Sequence, residues 1–277
     1  MVDVQQFGRR GIGAAYIVSG RRTALIDTGT SVAVDRIVHA MGARKPSYIL
    51  LTHVHPDHAG GASLLADLYP EALVGVHRKG LAHLVDPSRL NESILRVTGG
   101  LASHYGEVRP LARRRLVVLD DGERVDLGGG CVLVVVDTPG HAPHHLCFFE
   151  PTNRALFCGD ALGVNRTGEW IPASVPPSFD LLTAVASLRR LRGLNSRQFL
   201  LAHFGAVETA EGLIRMIERR HAAWVRWIRA LMQRHPPECV EGIVVESQRY
   251  ASLPGVLREE IRMFVRGTVF YQSAASG

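Results

Sequence analysis

Hydrophobic positions in the first third of the chain form short strand-like runs with one helical repeat between them. The runs at 14–20, 23–29 and 48–52 are short and apolar, which predicts strands, the first two of them paired. Residues 31–42 instead have apolar positions at helical spacing and end at a glycine, as helices often do. We therefore predict a β-β-α-β opening.

The pattern changes towards the middle of the chain. Residues 61–68 predict a helix and 72–76 a strand, and 77–106 is irregular and partly helical. From 116 to 140, apolar runs are separated by the turn-forming sequences DDGE and GGG. This spacing predicts a meander of neighbouring strands.

The second strand-rich part repeats the organisation of the first. Residues 145–150 and 154–160 predict a hairpin across the sequence PTN. A helix is expected at 179–194 and a strand at 198–205. Two strand-rich halves that each carry helices indicate a sandwich of two sheets with helices outside.

The last part of the chain has a helical pattern. Between 208 and 235 the apolar residues recur at helical spacing, and they include Trp224 and Trp227. An aromatic stripe of this kind is typical of a packing face rather than a cofactor site. We predict a first domain over 1–207 and a mainly helical C-terminal extension over 208–277, packed on that domain.

The composition is that of a globular protein. At 277 residues with 46% hydrophobic content, the chain can bury a sizeable core. No uninterrupted apolar run approaches the ~18 residues that a membrane span needs. The N-terminus also lacks the apolar stretch of a signal peptide. We therefore expect a location in the cytoplasm and no membrane partner.

The net charge of +6 comes from short arginine clusters such as 113–115 and 189–192. Clusters of this kind are usually solvated faces, although a basic surface can also favour an anionic substrate. There is no long basic tail with interleaved aromatic residues. We expect a small-molecule substrate, no nucleic-acid partner, and we allow for a homodimer.

Candidate chemistry begins directly after the strand predicted at 48–52. The sequence THVHPDHAG places His53, His55, Asp57 and His58 within six positions. Imidazole and carboxylate groups at the end of a buried strand would be costly to desolvate without a partner. A divalent metal ion is the partner that four such groups could share.

Three further strand ends carry ligand-type residues: His141, Asp160 and His203. If these edges converge, one ion can be held by His53, His55 and His141, and a second by Asp57, His58 and His203, with Asp160 bridging both. Imidazole and carboxylate ligands suit zinc and also iron or manganese. We predict two divalent ions, with zinc favoured.

The chain resembles the metallo-β-lactamase superfamily. The HxHxDH motif is complete at residues 53–58, and the later His, Asp and His of that family are met in order by His141, Asp160 and His203. The likeness extends over about the first three quarters of the chain. It implies a four-layered αββα sandwich of the α/β class, here with a helical C-terminal extension. It also implies that Asp27, in a DTG sequence, supports the metal site.

Other residues near these motifs have competing interpretations. Asp27 could instead cap the helix that begins near Ser31. His144 and His145 are not needed as ligands, and we interpret them as structural or pocket-lining. Trp170 and Phe204 are candidate apolar walls for a substrate, although either could belong to the core.

The function implied by the resemblance is hydrolysis. Two ions would activate a bridging hydroxide, and Asp57 would orient it and pass its proton to the leaving group. The branch with glyoxalase II and lactonases is the most similar, which indicates an activated ester, lactone or thioester.

Several alternatives remain open. The same site could cleave phosphodiesters or phosphotriesters, or hydrolyse an amide as a β-lactamase does. A mononuclear iron oxidoreductase of the persulfide dioxygenase kind would belong to a different class. A binding or structural protein without turnover would be a third possibility.

Overall fold

The computed structural model of the chain describes residues 1–166, 168–209, 212–235, 240–247 and 258–274. The chain divides into two compact units. The first consists of Met1–Asp137, His144–Gly159 and Ser196–Thr209, and the second of Thr138–Pro143, Asp160–Asn195 and Ala210–Gly277. The predicted boundary at residue 207 stays a prediction.

The first unit contains two sheets of six strands each. The strands of the first sheet are β1 (Val2–Asp3), β2 (Ala14–Ser19), β3 (Thr23–Ile26), β4 (Pro46–Leu50), β5 (Leu73–His77) and β6 (Leu116–Leu119). Their order is β1-β2-β3-β4-β5-β6. The first two pairings are antiparallel, and the pairings from β3 to β6 are parallel.

The second sheet is antiparallel except at one place. The strands that form it are β7 (Arg124–Gly128), β8 (Cys131–Asp137), β9 (Leu146–Glu150), β10 (Ala155–Phe157), β13 (Gln198–Leu200) and β14 (Ala206–Glu208). Their order is β14-β13-β10-β9-β8-β7, and only β10 and β13 pair in parallel. The predicted hairpin across PTN is confirmed as β9 and β10.

One apolar cluster joins the inner faces of the two sheets. Tyr16, Ile26 and Leu50 of the first sheet pack in the same cluster as Leu133 and Phe148 of the second. Alternate residues of each strand supply this core, as the period of a strand requires. The predicted sandwich of two sheets is confirmed.

The helices of the first unit follow the strands of the first sheet. They are α1 (Val34–Met41), α2 (Pro56–Ala59), α3 (Ala62–Leu68), α4 (Leu81–Val85) and α5 (Ser88–Thr98). Short 3-10 turns occupy Gln6–Gly8, Ser31–Ala33, Gly99–His104 and Arg113–Arg115. The β-β-α-β opening is confirmed, as is the partly helical character of 77–106.

The predicted meander over 116–140 is wrong at its first strand. The strand β6 pairs in parallel with β5 of the first sheet, whereas β7 and β8 pair with each other in the second sheet. The DDGE turn therefore links two sheets and does not close a hairpin. The same turn sequence can close a hairpin or link two sheets. The strand with which β6 pairs therefore depends on segments distant in the sequence.

The second unit is mainly helical. It contains the hairpin β11 (Val164–Arg166) and β12 (Glu169–Ile171), followed by α6 (Leu181–Gly193), α7 (Leu213–Met232), α8 (Val240–Glu246) and α9 (Arg258–Ala274). Its core includes Ile171, Trp224, Ile228 and Phe264. The helical C-terminal region is confirmed, although 236–239, 248–257 and 275–277 lie outside the described residues.

Trp224 and Trp227 belong to this packing face, as predicted from their spacing. Their ring centroids lie 5.5 Å apart, and Trp224 Nε1 donates a hydrogen bond to Thr268 Oγ1 at 2.8 Å. Among the residues described, we find no helix that combines the length and the apolar character of a membrane span.

Candidate metal centre

The histidine-rich motif follows β4 and enters the short helix α2. His55 occupies the N-cap position with extended backbone, and Pro56 begins the helix. Proline suits the first helical position because its fixed φ matches the helix and its missing N–H is not needed there. This local geometry places Asp57 and His58 in the first turn, while His53 and His55 precede it.

Asp27 supports this motif from the end of β3. Its carboxylate accepts hydrogen bonds from Thr52 N at 2.8 Å and from Thr52 Oγ1, and it lies 2.9 Å from Nδ1 of His58. A carboxylate at Nδ1 directs the other ring nitrogen, Nε2, away from it. No side-chain cap is formed at the 3-10 turn Ser31–Ala33, so the capping interpretation of Asp27 has no support.

Asp57, His58 and His203 form a compact group of metal-ligand type within the first unit. Each offers one ligand atom, and these atoms lie within 4.8 Å of one another. The Asp57 Oδ2 atom lies 3.7 Å from His58 Nε2 and 4.0 Å from His203 Nε2. Two imidazoles and one carboxylate are a donor set suited to zinc and other divalent ions. The donor chemistry of this group therefore fits a metal ion.

The loop that carries His203 is fixed by a residue that sequence reasoning did not single out. The Tyr16 hydroxyl donates to the carbonyl oxygen of Leu201 at 2.7 Å and to that of Gly205 at 3.0 Å. Burial raises the pKa of Tyr16, so the hydroxyl keeps its proton and remains a donor. No sequence motif marks this contact, because it joins positions 185 residues apart.

His53 and His55 are in direct contact, and further histidines lie beside them. His53 Nε2 lies 3.0 Å from His55 Nδ1. The ring centroid of His53 is 5.1 Å from that of His145 and 6.2 Å from that of His144. His144 and His145 are both buried. The ring of His83 also lies 6.2 Å from that of His144.

The backbone before Asp160 approaches His145 closely. A Cβ atom on Gly159 would lie 2.5 Å from His145 Nε2 and 2.8 Å from Thr52 Cβ, and Gly159 has a φ of 48°. A side chain would be excluded at this position both by space and by the left-handed backbone. Glycine is therefore required at the strand end that leads to Asp160.

His141 and Asp160 lie together in the second unit. His141 Nε2 is 3.4 Å from Asp160 Oδ2, and both side chains are buried. His141 Nδ1 lies at hydrogen-bonding distance from the carbonyl oxygen of Ala173. A proton on Nδ1 would donate to that carbonyl and leave Nε2 as the acceptor nitrogen that a metal ligand needs.

Gln6 is a second residue that sequence reasoning missed. Its Nε2 atom donates to Asp57 Oδ2 at 3.1 Å, and its side chain is buried. It lies 51 residues before Asp57, in a segment without an apolar period or a recognisable motif. Only the tertiary structure places it at the metal-ligand group.

Trp170 and Phe204 have different surroundings. Trp170 lies in β12 opposite Asn165 and is buried. Phe204 directly follows His203, has a φ of 79° and packs partly buried against the core of the sandwich. Their suggested roles as substrate walls stay predictions.

The two-sheet sandwich and the histidine–aspartate group define a class of metal-binding α/β proteins. The chain belongs to the metallo-beta-lactamase superfamily, with residues 8–203 matching that family. The family resemblance and the fold class expected from the sequence are confirmed.

Similar proteins support the assignment of the chain to this superfamily. The chain is 32% identical over 200 residues to the metallo-beta-lactamase fold-containing protein ST1585 of Sulfurisphaera tokodaii, covering 71% of this chain and 74% of that one. A hydroxyacylglutathione hydrolase of Nitrosococcus oceani is 33% identical over 49% of this chain. An atrochrysone carboxyl ACP thioesterase of a Cryptosporiopsis species is 26% identical over 76% of it. The chain spans about half the length of these last two relatives: 44% of the hydrolase and 54% of the thioesterase.

The fold also matches solved structures. The crystal structure of ST1585 from Sulfolobus tokodaii superposes with a TM-score of 0.71 and 26% identity, covering 93% of each chain. The likeness therefore includes most of this chain and extends beyond the residues that match the family.

Proposed function

We propose that this protein is a dinuclear metal-dependent hydrolase acting on an activated ester, lactone or thioester. The observation that carries the proposal is the group of Asp57, His58 and His203, with ligand atoms within 4.8 Å of one another. Buried histidines and a carboxylate at this distance would be costly to assemble without a shared cation. Membership of the metallo-beta-lactamase superfamily supports the same conclusion.

The proposed ligands follow the order of the family motif. His53, His55 and His141 would hold one ion, and Asp57, His58 and His203 would hold the second. Asp160 would supply the remaining carboxylate ligand. Zinc is favoured by the histidine-rich donor set, and iron or manganese would use the same ligands.

The protein side chains have separate tasks in this proposal. When bound, two divalent ions lower the pKa of a water molecule and polarise the substrate carbonyl. Asp57 accepts the proton of the attacking water and delivers it to the leaving group. Asp27 holds the His58 ring through Nδ1 and thereby presents Nε2 as a ligand. Thr52 in turn orients Asp27 with two donors.

A thioester is the substrate class that we favour within this range. Two of the relatives are named as a hydroxyacylglutathione hydrolase and a thioesterase. A thiolate leaving group needs little protonation, which suits a site where a single carboxylate handles the proton. Trp170 and Phe204 are proposed as apolar walls for the acyl group.

The sequence is the basis for the partners and the location that we propose. The substrate is a small molecule, and neither nucleic acid nor a membrane takes part. The protein acts in the cytoplasm, and size-exclusion chromatography with light scattering tests whether it forms a homodimer.

The test compares metal content with hydrolysis over a panel of substrates. Protein loaded with zinc should hydrolyse at least one acyl thioester, aryl ester or lactone, and chelator treatment should abolish the activity until zinc is restored. Full activity after the metal has been removed would contradict the proposal.

The same panel separates the alternatives. If a phosphotriester, a phosphodiester or a β-lactam is the preferred substrate, the proposed metal site remains valid and the proposed substrate class is wrong. One iron per chain, with sulfite produced from a persulfide in oxygen, would replace hydrolysis with oxidation.

A further inference from the structure

A short N-terminal segment, residues 3–13, reaches the proposed metal ligand Asp57. We call it the N-terminal strap. Its only described side-chain hydrogen bond to the ligand group comes from Gln6, whose Nε2 donates to Asp57 Oδ2 at 3.1 Å. Gln6 is 5% exposed, so its amide is withdrawn from solvent. Burying a glutamine costs free energy unless its polar atoms are satisfied by specific partners.

The backbone on both sides of Gln6 is held in the left-handed region. Gln5 has φ and ψ of 50° and 50°, and Phe7 has φ and ψ of 57° and 23°. Neither residue is a glycine, so both conformations are unfavourable by themselves and need surrounding structure to maintain them. Strain of this kind is concentrated at functional sites, and here it flanks the residue that contacts Asp57.

The strap has its own anchors. The Asp3 carboxylate accepts hydrogen bonds from Gln5 N at 2.9 Å and Gly11 N at 3.0 Å. The Phe7 ring packs edge-on against Tyr105, with centroids 5.7 Å apart. A Cβ atom on Gly13 would lie 2.9 Å from Gln6 Oε1, so this glycine leaves room for the amide. These contacts hold Gln6 in one orientation.

We propose that Gln6 is a positioning residue that fixes the Asp57 carboxylate for metal binding. The inference rests on the proposed function, because it assumes an ion bound by Asp57, His58 and His203. The same oxygen that accepts from Gln6 lies 3.7 Å from His58 Nε2 and 4.0 Å from His203 Nε2. Gln6 therefore selects which carboxylate oxygen faces the two imidazoles.

The negative charge of Asp57 favours a neutral hydrogen-bond donor at position 6. An arginine or lysine in place of Gln6 would neutralise Asp57 and weaken its attraction for a cation. An amide holds the carboxylate by a hydrogen bond and leaves its charge in place. Side chains that orient metal ligands typically change metal affinity by about 10–100-fold when they are removed.

The test uses Gln6→Met, which keeps the length of the side chain and removes the donor. Gln5→Met is the matched control, because it makes the same exchange at a neighbouring left-handed position of the strap. Zinc affinity is measured by competition with a chromophoric chelator. We expect one of the two zinc affinities to fall about 10–100-fold in Gln6→Met and both to stay native in Gln5→Met.

A purely structural role for Gln6 predicts another result. It would lower the melting temperature of the metal-free protein and leave zinc affinity unchanged, and this outcome would overturn the inference alone. A wild-type chain that binds no zinc would overturn the proposed function as well. Equal losses in both variants would show that the strap, and not the Gln6 amide, controls the site, which also overturns the inference.

Discussion

At the scale of single residues, Asp27 illustrates how the same side chain fits two interpretations in a sequence. An aspartate a few residues before a helix resembles an N-cap. In the structure its carboxylate accepts from Thr52 and contacts His58, and its backbone has a φ of 57°. Position along the chain could not distinguish the two interpretations, since both place Asp27 at a strand end.

Asp160 is the residue whose loss should disturb both proposed ions. Replacing it by alanine removes an anionic ligand and leaves two cations with less charge between them, so the weaker ion should be expelled. We expect Asp160→Ala to retain at most one zinc ion and to lose hydrolytic activity. Elemental analysis of the purified variant measures the bound metal.

His145→Ala is the control for this prediction. His145 is fully buried beside His53, but the seven proposed ligands do not include it. We expect normal metal content with lower thermal stability, because the substitution leaves a cavity. Loss of an ion in His145→Ala, or two ions retained in Asp160→Ala, would show that the ligand assignment is wrong.

His221 should make the stability of the protein depend on pH. It lies in α7 with Nε2 3.2 Å from the Leu162 carbonyl oxygen, and burial lowers its pKa to about 4 from 6.5. The unfolded chain therefore takes up a proton on this residue below pH 6.5, while the folded chain does so only near pH 4. The stabilisation is complete above pH 6.5 and is lost as the pH falls towards 4.

The variant His221→Gln keeps an amide donor for Leu162 and removes this titration. We expect the unfolding free energy of the wild type to fall by up to about 1.4 kcal/mol per pH unit more than that of the variant in this window. Urea unfolding at several pH values, with a chelator present, measures the difference. Unfolding free energies that change equally with pH in the wild type and in His221→Gln would contradict a buried, neutral His221.

At the scale of elements, α9 packs against the segment after β12 at a position where only glycine fits. A Cβ atom on Gly267 would lie 2.0 Å from the carbonyl oxygen of Ser174 and 2.5 Å from its carbonyl carbon. These are backbone atoms, so a rotamer change cannot relieve the contact. The hydrogen bond from Thr268 Oγ1 to Ser174 Oγ at 2.9 Å holds the same two segments together.

We expect Gly267→Ala to lower the unfolding free energy by about 1–3 kcal/mol, as other overpacked cores do. Gly193→Ala is the matched control, because Gly193 ends α6 and a Cβ atom there meets nothing within 4 Å. That control should be neutral or more stable by about 0.5–1 kcal/mol, since alanine favours the helix. Urea unfolding compares the two variants, and a stable Gly267→Ala would refute the close packing.

At the scale of the whole molecule, two compact units are each built from distant parts of the chain. The first unit takes Ser196–Thr209 into the second sheet, and the second unit begins with Thr138–Pro143. Both units therefore follow contacts in space and not position along the chain.

The sequence alone determined the features that depend on neighbouring positions. The strand and helix periods predicted most elements, and Pro56 within the HxHxDH motif marks the start of the short helix α2. The family order of His141, Asp160 and His203 then indicated the metal chemistry. These patterns are informative because a period or a motif is read within a few residues.

Only the tertiary structure decided which distant segments meet. In the structure, β6 pairs within the first sheet, and the Gln6 amide donates to Asp57 across 51 residues. Tyr16 donates to the loop that carries His203. Hydrogen bonds of this kind have no repeating spacing, and a buried glutamine or tyrosine in the sequence looks like any other. Their positions follow from packing the two sheets around one core, which short-range patterns do not specify.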